Sequence, residues 1–279
     1  MKPTDLRGIL QYIPRFREQT FVISADGAVV SDVNFTNLLL DIAVLRSLNI
    51  RVVLVHGAGE LIGQLARERG TTPSNLDGTG ITDDETLELS VTAANRLTHE
   101  ILEGLSVSDQ RAASANAIIS HPKGVIEGVD QQHAGRIERV DVSMLKTLLA
   151  EGIIPVMPPL GFDGEGNTFR LNSDAIALAV SEVLGAIKLI FISTTDGLKI
   201  EGKLVRQILS NDLEKALKDN AGIEAGQSSK ARHAAKACAK GVPRVHLING
   251  RVAEGLLAEV FSNEGIGTLI YANEYQQIR

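Results

Sequence analysis

Read for its apolar and polar positions, the chain alternates short Val/Ile/Leu runs with longer stretches in which apolar residues recur three or four apart. The short runs predict strands at Thr20–Ser24, Arg51–Val55, Ala117–Ser120, Ile153–Met157, Ile187–Ser193, Arg244–Asn249 and Thr268–Ala272. Several are nearly continuous, as expected of parallel strands covered on both faces. Helical spacing is carried by Leu38, Ile42 and Leu45, and by Leu87, Val91, Ala94, Ile101 and Leu105. A capping box is expected at Thr82–Glu85 ("TDDE") ahead of the second of these. A third helix holds Ile176, Val180, Val183 and Leu184 and is expected to stop at Gly185.

Two segments break this rhythm. "SHPKGVIEGVDQQHAGRIERVD" reads as a short hairpin or excursion, and "GFDGEGNTFRL" as a hairpin turned by Asp163-Gly164 and Gly166-Asn167. Strands alternating with helices predict an α/β fold, a three-layer αβα sandwich with a mainly parallel central sheet. We expect a single domain over 1–279, with an N-terminal lobe over about 20–180 and a C-terminal lobe over about 181–279. A helix within residues 1–19 is expected from Leu6, Ile9, Leu10 and Ile13, with Pro14 kinking or stopping it.

Composition narrows the function classes. The 279 residues are 44% hydrophobic and 22% charged, an ordinary balance for a globular chain long enough for a large core. Net charge is -6 without a long like-charge run, which argues against a nucleic-acid partner. The single Cys238 excludes an internal disulfide framework. No apolar run approaches the ~20 residues that cross a bilayer, and the first twenty residues lack a signal-peptide core. A cytoplasmic location is expected, with neither a membrane partner nor a metal site.

Candidate chemistry lies at strand ends. "VVLVHGAGELIGQLARE" runs a strand into His56-Gly57-Ala58-Gly59 and then a helix. Glycines let a backbone approach a phosphate, and a helix start offers unpaired N–H groups; a tight turn without a ligand explains the same residues. "FVISADGAVV" ends a strand at Ser24 and turns at Asp26-Gly27, a second place where a phosphate could sit. In "LNSDAIALAVSEVLG", Ser173 or Asp174 is placed to cap a helix. "GIEAGQSSKARHAAKACAKG" puts Lys230 in the first turns of another, behind a turn at Gly226. A lysine beside a carboxylate and a glycine-rich turn suits phosphoryl transfer.

In this order the pieces resemble the amino-acid kinase family, in particular its N-acetylglutamate kinase branch, from about residue 15 to the C-terminus. The likeness is greater still to the kinase-like domain of bacterial N-acetylglutamate synthase, through "GVDQQHAGRIERVD" and "FSNEGIGTLIYANEYQQIR". The resemblance implies a substrate or phosphate cradle at Gly27, Gly57, Ala58, Gly59 and Asn172, with Asp174 and Lys230 as residual catalytic groups. It also implies losses. Active members carry Lys where this chain has Ser24, and Gly-Gly where it has Asp26-Gly27. Their substrate-gripping Arg aligns with Gly80, and their substrate-contacting Asn with Arg170. ATP with magnesium is therefore expected only if kinase activity persists.

The same resemblance places an allosteric arginine pocket at His246, Glu259 and Gly265, with backbone groups of 263–267 facing the amino-acid end of the ligand. It implies L-arginine as effector and a homo-oligomer, a dimer or a hexamer paired through the N-terminal helix. The expected function is a degenerate, arginine-binding regulatory domain of arginine biosynthesis. An active N-acetylglutamate kinase is the first alternative. The other is the kinase-like part of an amino-acid N-acetyltransferase, acting with an acetyltransferase domain or subunit for which no segment of this chain is left over.

Overall fold

The computed structural model describes Gly8 and residues 10–219, 222–262 and 265–273. Helix α1 (Ile13–Phe16) leads into β1 (Thr20–Ala25), α2 (Gly27–Val30), α3 (Phe35–Ser47), β2 (Arg51–His56), α4 (Gly59–Arg69) and α5 (Asp84–Ser106). Next come β3 (Ala112–Ser114), β4 (Ile118–Pro122), β5 (Val125–Ile126), β6 (Val129–Asp130), β7 (Gly135–Val140), α6 (Val142–Ala150) and β8 (Ile154–Met157). The hairpin β9 (Leu160–Phe162) and β10 (Thr168–Arg170) precedes α7 (Ser173–Leu184) and β11 (Lys188–Ser193). The chain then runs through β12 (Lys199–Ile200), β13 (Lys203–Leu204), β14 (Gln207–Leu209), α8 (Ser210–Lys218) and α9 (Ala225–Ala239). It closes with β15 (Arg244–Asn249), α10 (Gly255–Phe261) and β16 (Thr268–Tyr271).

Eight strands form the central sheet in the order β14-β16-β15-β11-β1-β2-β8-β3. All its pairings are parallel except that of β15 with β16. Strand β1 is wholly buried, as two-sided cover demands of an apolar run. Its alternate residues feed two cores. Phe21 and Ile23 join Leu38, Ile42, Leu97 and Val260 on one side of the sheet. Val22 points to the other, with Phe191, Ile176, Val180 and Ala234. Each core draws on both halves of the chain, so the two expected lobes share one sheet.

The differences from expectation have local causes. Residues 118–122 form a strand where 117–120 was expected, but in a second sheet ordered β10-β9-β4-β7; an apolar run signals burial without naming the partner. The α5 cap is Asp83, whose carboxylate accepts the Thr86 N–H at 2.8 Å, while Thr82 is buried. Gly226 lies inside the first turn of α9 instead of before it. Pro14 stands in the first turn of α1, where a missing N–H costs nothing, and the helical residues Gly8 and Leu10 give way to a turn at 11–12 just ahead of it. Leu6 and Ile9, on which the longer N-terminal helix rested, lie outside the described residues. Both hairpins form, the first turning at Glu127-Gly128, where φ is 50° and 80°.

Candidate functional site

The carboxyl ends of β1, β2 and β11 meet where the chain's connections diverge, β1 leading to β2 on one side and β11 to β15 on the other. Open α/β sheets place ligand crevices at such points. Here the crevice is a cavity of about 310 Å³ whose walls include Asp26, Gly27, Gly57, Ala58, Gly59, Arg170, Asn172, Asp174 and Lys230. The cradle and catalytic positions expected from sequence thus lie around one space.

Each is brought there by its element. The Asp26 N–H donates to the Ile192 carbonyl at 2.9 Å, tying the end of β1 to β11. Asp26 holds the N-cap position of α2, yet its side chain makes no capping bond. Its Oδ1 instead accepts from Lys230 Nζ at 2.6 Å. The same ammonium donates to Asp174 Oδ1 at 3.1 Å, and Asp174 Oδ2 accepts from Ser229 Oγ at 2.8 Å. Asp174 stands in the first turn of α7, whose cap is Asn172, with Oδ1 accepting the Ala175 N–H at 3.0 Å. Asn172 also donates to the Asp77 carbonyl at 2.8 Å.

The Asp26 carboxylate lines the cavity and is at the same time engaged with Lys230. Burial raises the pKa of Asp26; Lys230 opposes that rise and Asp174 adds to it. Burial also works against the charge on Lys230, but the two carboxylates outweigh it and hold its pKa above the ordinary value. Asp26 keeps 33% of its side chain open to solvent, against 10% for Lys230 and 5% for Asp174. Ser24 is buried, and its hydroxyl has no partner among the described residues.

The glycines have a packing role of their own. A Cβ on Gly27 would lie 3.2 Å from the Ala58 Cα, and one on Gly57 3.3 Å from the Gly27 N. On Gly59 it would lie 2.7 Å from the Leu76 carbonyl. Both explanations weighed for the glycines fit this wall, since it lines a cavity and also brings two loops into contact. Sequence reasoning left Arg170 out of the site. It is nearly fully buried, donates from Nη1 to the Asn75 carbonyl at 2.7 Å, and lines the cavity. Burial, opposed by Asp77, lowers its pKa to about 10.

A second polar cluster lies within the core on the Phe21 side of the sheet. His246 and Glu259 are both fully buried, with His246 Nδ1 2.7 Å from Glu259 Oε1. A carboxylate only accepts, so Nδ1 carries the proton, and Nε2 accepts from Lys188 Nζ at 3.0 Å. Glu259 Oε2 accepts the N–H groups of Ile266 and Gly267 at 2.7 and 3.0 Å. Glu259 thus presents no open carboxylate. Gly265 is near in sequence but donates to Ser262 Oγ at 2.9 Å. Of the backbone expected at 263–267, residues 263 and 264 lie outside the described residues. Lys188, whose ammonium also lies 5.2 Å from the Phe16 ring centroid, was missed. Its signal was available: a lone charge opening an otherwise apolar buried strand needs a partner.

The family model described as "Amino acid kinase family" matches residues 19–249. The chain belongs to the amino-acid kinase family. It is 35% identical to the amino-acid acetyltransferase of Vibrio cholerae over 96% of this chain and 64% of that protein. It is 30% identical to the acetylglutamate kinase of Pelodictyon phaeoclathratiforme over 95% of this chain and 88% of that one. Among solved structures it resembles N-acetylglutamate synthase from Neisseria gonorrhoeae complexed with coenzyme A and N-acetyl-glutamate. That match has a TM-score of 0.89 and 31% identity, over 97% of this chain and 63% of the synthase. The same synthase complexed with coenzyme A and L-arginine matches with a TM-score of 0.87 at 29% identity, over 97% of this chain and 65% of that one. The chain thus spans just under two thirds of these longer relatives. The fold is that of an amino-acid kinase, and the chain corresponds to the kinase-like domain of the synthases. No helix among the described residues is long and apolar enough to cross a membrane.

Proposed function

We propose that this chain is a regulatory kinase-like domain of the N-acetylglutamate synthase type, without appreciable phosphotransferase activity and responsive to L-arginine. The observation that carries the first half is the 2.6 Å contact between Lys230 Nζ and Asp26 Oδ1. In phosphoryl transfer, catalysis is mainly positioning and charge stabilisation. Here one lysine position is occupied by Ser24, and the remaining lysine is already neutralised by two carboxylates. Magnesium-ATP does not fit that balance, because its phosphates would have to displace Asp26 from Lys230. Losing one charge-stabilising group typically costs about 100- to 1000-fold in rate. Arg170 restores a positive charge to the cavity, so a smaller anion is less disfavoured there than a polyphosphate.

The arginine half is supported by the Lys188–His246–Glu259 chain and by the solved synthase complexed with L-arginine. To pair with Glu259, a guanidinium would have to replace the bonds that this carboxylate receives from His246 and from the Ile266 and Gly267 N–H groups, so arginine binding requires the buried cluster to open. Arginine would act by preferring one arrangement of subunits or of the sheet's two halves, shifting the balance only by its difference in affinity between them. Parallel calorimetric titrations with L-arginine, N-acetylglutamate and magnesium-ATP test the whole reading. Saturable heat from arginine with none from the nucleotide is expected. Turnover of ATP dependent on N-acetylglutamate would replace this reading with an active kinase.

A further inference from the structure

A larger cavity lies beside the first and belongs to none of the chemistry above. It measures about 560 Å³, within the range of small-molecule sites, and opens between β7, α7 and the C-terminal half of α9. Leu171 and Asn172 form part of both cavities' walls. Its apolar floor is made by Ile137, Leu171, Leu178 and Ala179. Strand β7 is the edge of its sheet, so among the described residues no further strand covers this side.

The rim is basic although the chain as a whole carries a net charge of -6. Lys123, Arg136, Arg139 and Lys240 stand around the floor, with Glu138 and Glu182 as the carboxylates. Both carboxylates are engaged: Glu182 accepts from Lys240 at 2.5 Å, and Glu138 Oε2 lies 2.7 Å from His121 Nε2. Four cationic residues against these two carboxylates leave the rim net positive. Lys123 donates to the Thr79 carbonyl at 2.9 Å. His233, also on the wall, has Nδ1 2.8 Å from the Ser229 carbonyl, which makes Nδ1 the donor and leaves Nε2 an acceptor. An apolar floor beneath a net positive rim suits an occupant with an apolar body and an anionic end.

We propose that this cavity binds a small amphipathic anion, its apolar part against Ile137 and Leu178 and its carboxylate or phosphate against the Arg136 and Arg139 guanidinium groups. The site is separate from the Lys188–His246–Glu259 cluster and stands whether or not arginine binds there. Its basic rim disfavours L-arginine itself.

The test is methyl NMR of the full chain, following Ile137, Leu171 and Leu178 during titration. N-acetylphenylalanine serves as the carboxylate probe and adenosine monophosphate as the phosphate probe, with L-arginine in a third arm. Saturable shifts at these methyls with either anion are expected, and the stronger of the two identifies the headgroup. Arg136→Gln with Arg139→Gln should weaken that binding about tenfold or more, the scale of one lost charge-assisted hydrogen bond. Ala179→Phe, which fills the floor and leaves the rim intact, should abolish it. No saturable shift with either anion at millimolar concentrations overturns the proposal, as does binding that both variants leave unchanged. If arginine moves these methyls as strongly as the anions do, the assignment to an anion fails.

Discussion

Asp26 and Lys230, 204 positions apart in the chain, meet at 2.6 Å across the crevice at the carboxyl ends of the central strands. Asp26 follows β1 and Lys230 lies on α9, so the pair links the end of a central strand to a helix from the other half of the chain across the cavity. Asp174, at 3.1 Å, makes the arrangement a lysine between two carboxylates.

Removing the two partners has unequal consequences. Lys230→Met leaves Asp26 and Asp174 facing each other without a cation and should cost about 3 kcal/mol or more in denaturant unfolding. Asp26→Asn leaves Lys230 its Asp174 partner. Because Asp26 is about one-third exposed, its loss should cost only about 1 kcal/mol. Equal losses from the two variants would mean that Asp26 and Asp174 do not share the charge as described.

Anion affinity should move in the opposite sense. With Asp26→Asn, Lys230 and Arg170 confront an incoming anion with one fewer negative charge nearby. Inorganic pyrophosphate, measured by calorimetry, should bind about tenfold more tightly than to the parent chain, the scale of one charge contact. Turnover should not appear, since Ser24 still lacks the charge of the lysine found in active relatives.

The arginine response should be lost on substituting Glu259. Glu259→Gln keeps an oxygen for the Ile266 or Gly267 N–H but removes the negative charge that a guanidinium requires. Thermal shift with and without L-arginine should show stabilisation of the parent and about tenfold weaker binding or none in the variant. Glu259→Ala should also destabilise the fold by about 3 kcal/mol, because the buried Lys188–His246 end is left unbalanced.

Two buried groups pull the pH profile of stability in opposite directions. Burial lowers the His56 pKa to about 4, while its Nε2 stays 2.8 Å from Thr98 Oγ1. Its folded pKa lies below the unfolded value, so its contribution is full above about pH 6.5 and falls as the pH drops toward 4. Burial raises the Asp41 pKa to about 6, against backbone bonds from Leu257 and Leu256. Its folded pKa lies above the unfolded value, so stability improves as the pH falls through 6 toward 3.8. Asp41→Asn should therefore stabilise the protein by about 1–2 kcal/mol at pH 7.5 and leave it unchanged near pH 4. In that variant the acid-side losses from His56 and from His233, whose pKa burial also lowers, should remain in urea unfolding below pH 6.5, opposed by Asp26, whose pKa burial raises.

What could be read from sequence follows from how each signal arises. Strands β1, β2, β11 and β15 were legible because two-sided burial leaves an uninterrupted apolar run. Strand β3 (Ala112–Ser114) and the short β12 to β14 carry too few apolar residues to stand out. The residues proposed as cradle and catalytic groups stand out in sequence as motifs, and they surround one cavity. The pairing of Asp26 with Lys230 was not, since nothing local links residues so far apart. Lys188 was hidden because the run that announces its strand draws attention away from its one charge. Arg170 was noticed as a departure from the family's asparagine, but its burial beside Asn75 depends on a loop whose path leaves no mark in sequence.

Strand β1 emerges first from the ribosome yet stands between β2 and β11. Its pairing with β2 can form early, but its other edge stays open until Lys188–Ser193 has been made. Until Lys188–Ser193 has been made, the nascent chain thus carries an uncovered apolar edge in the middle of its future sheet. Assembly should be slow, dependent on long-range pairing and prone to capture by chaperones until β11 arrives.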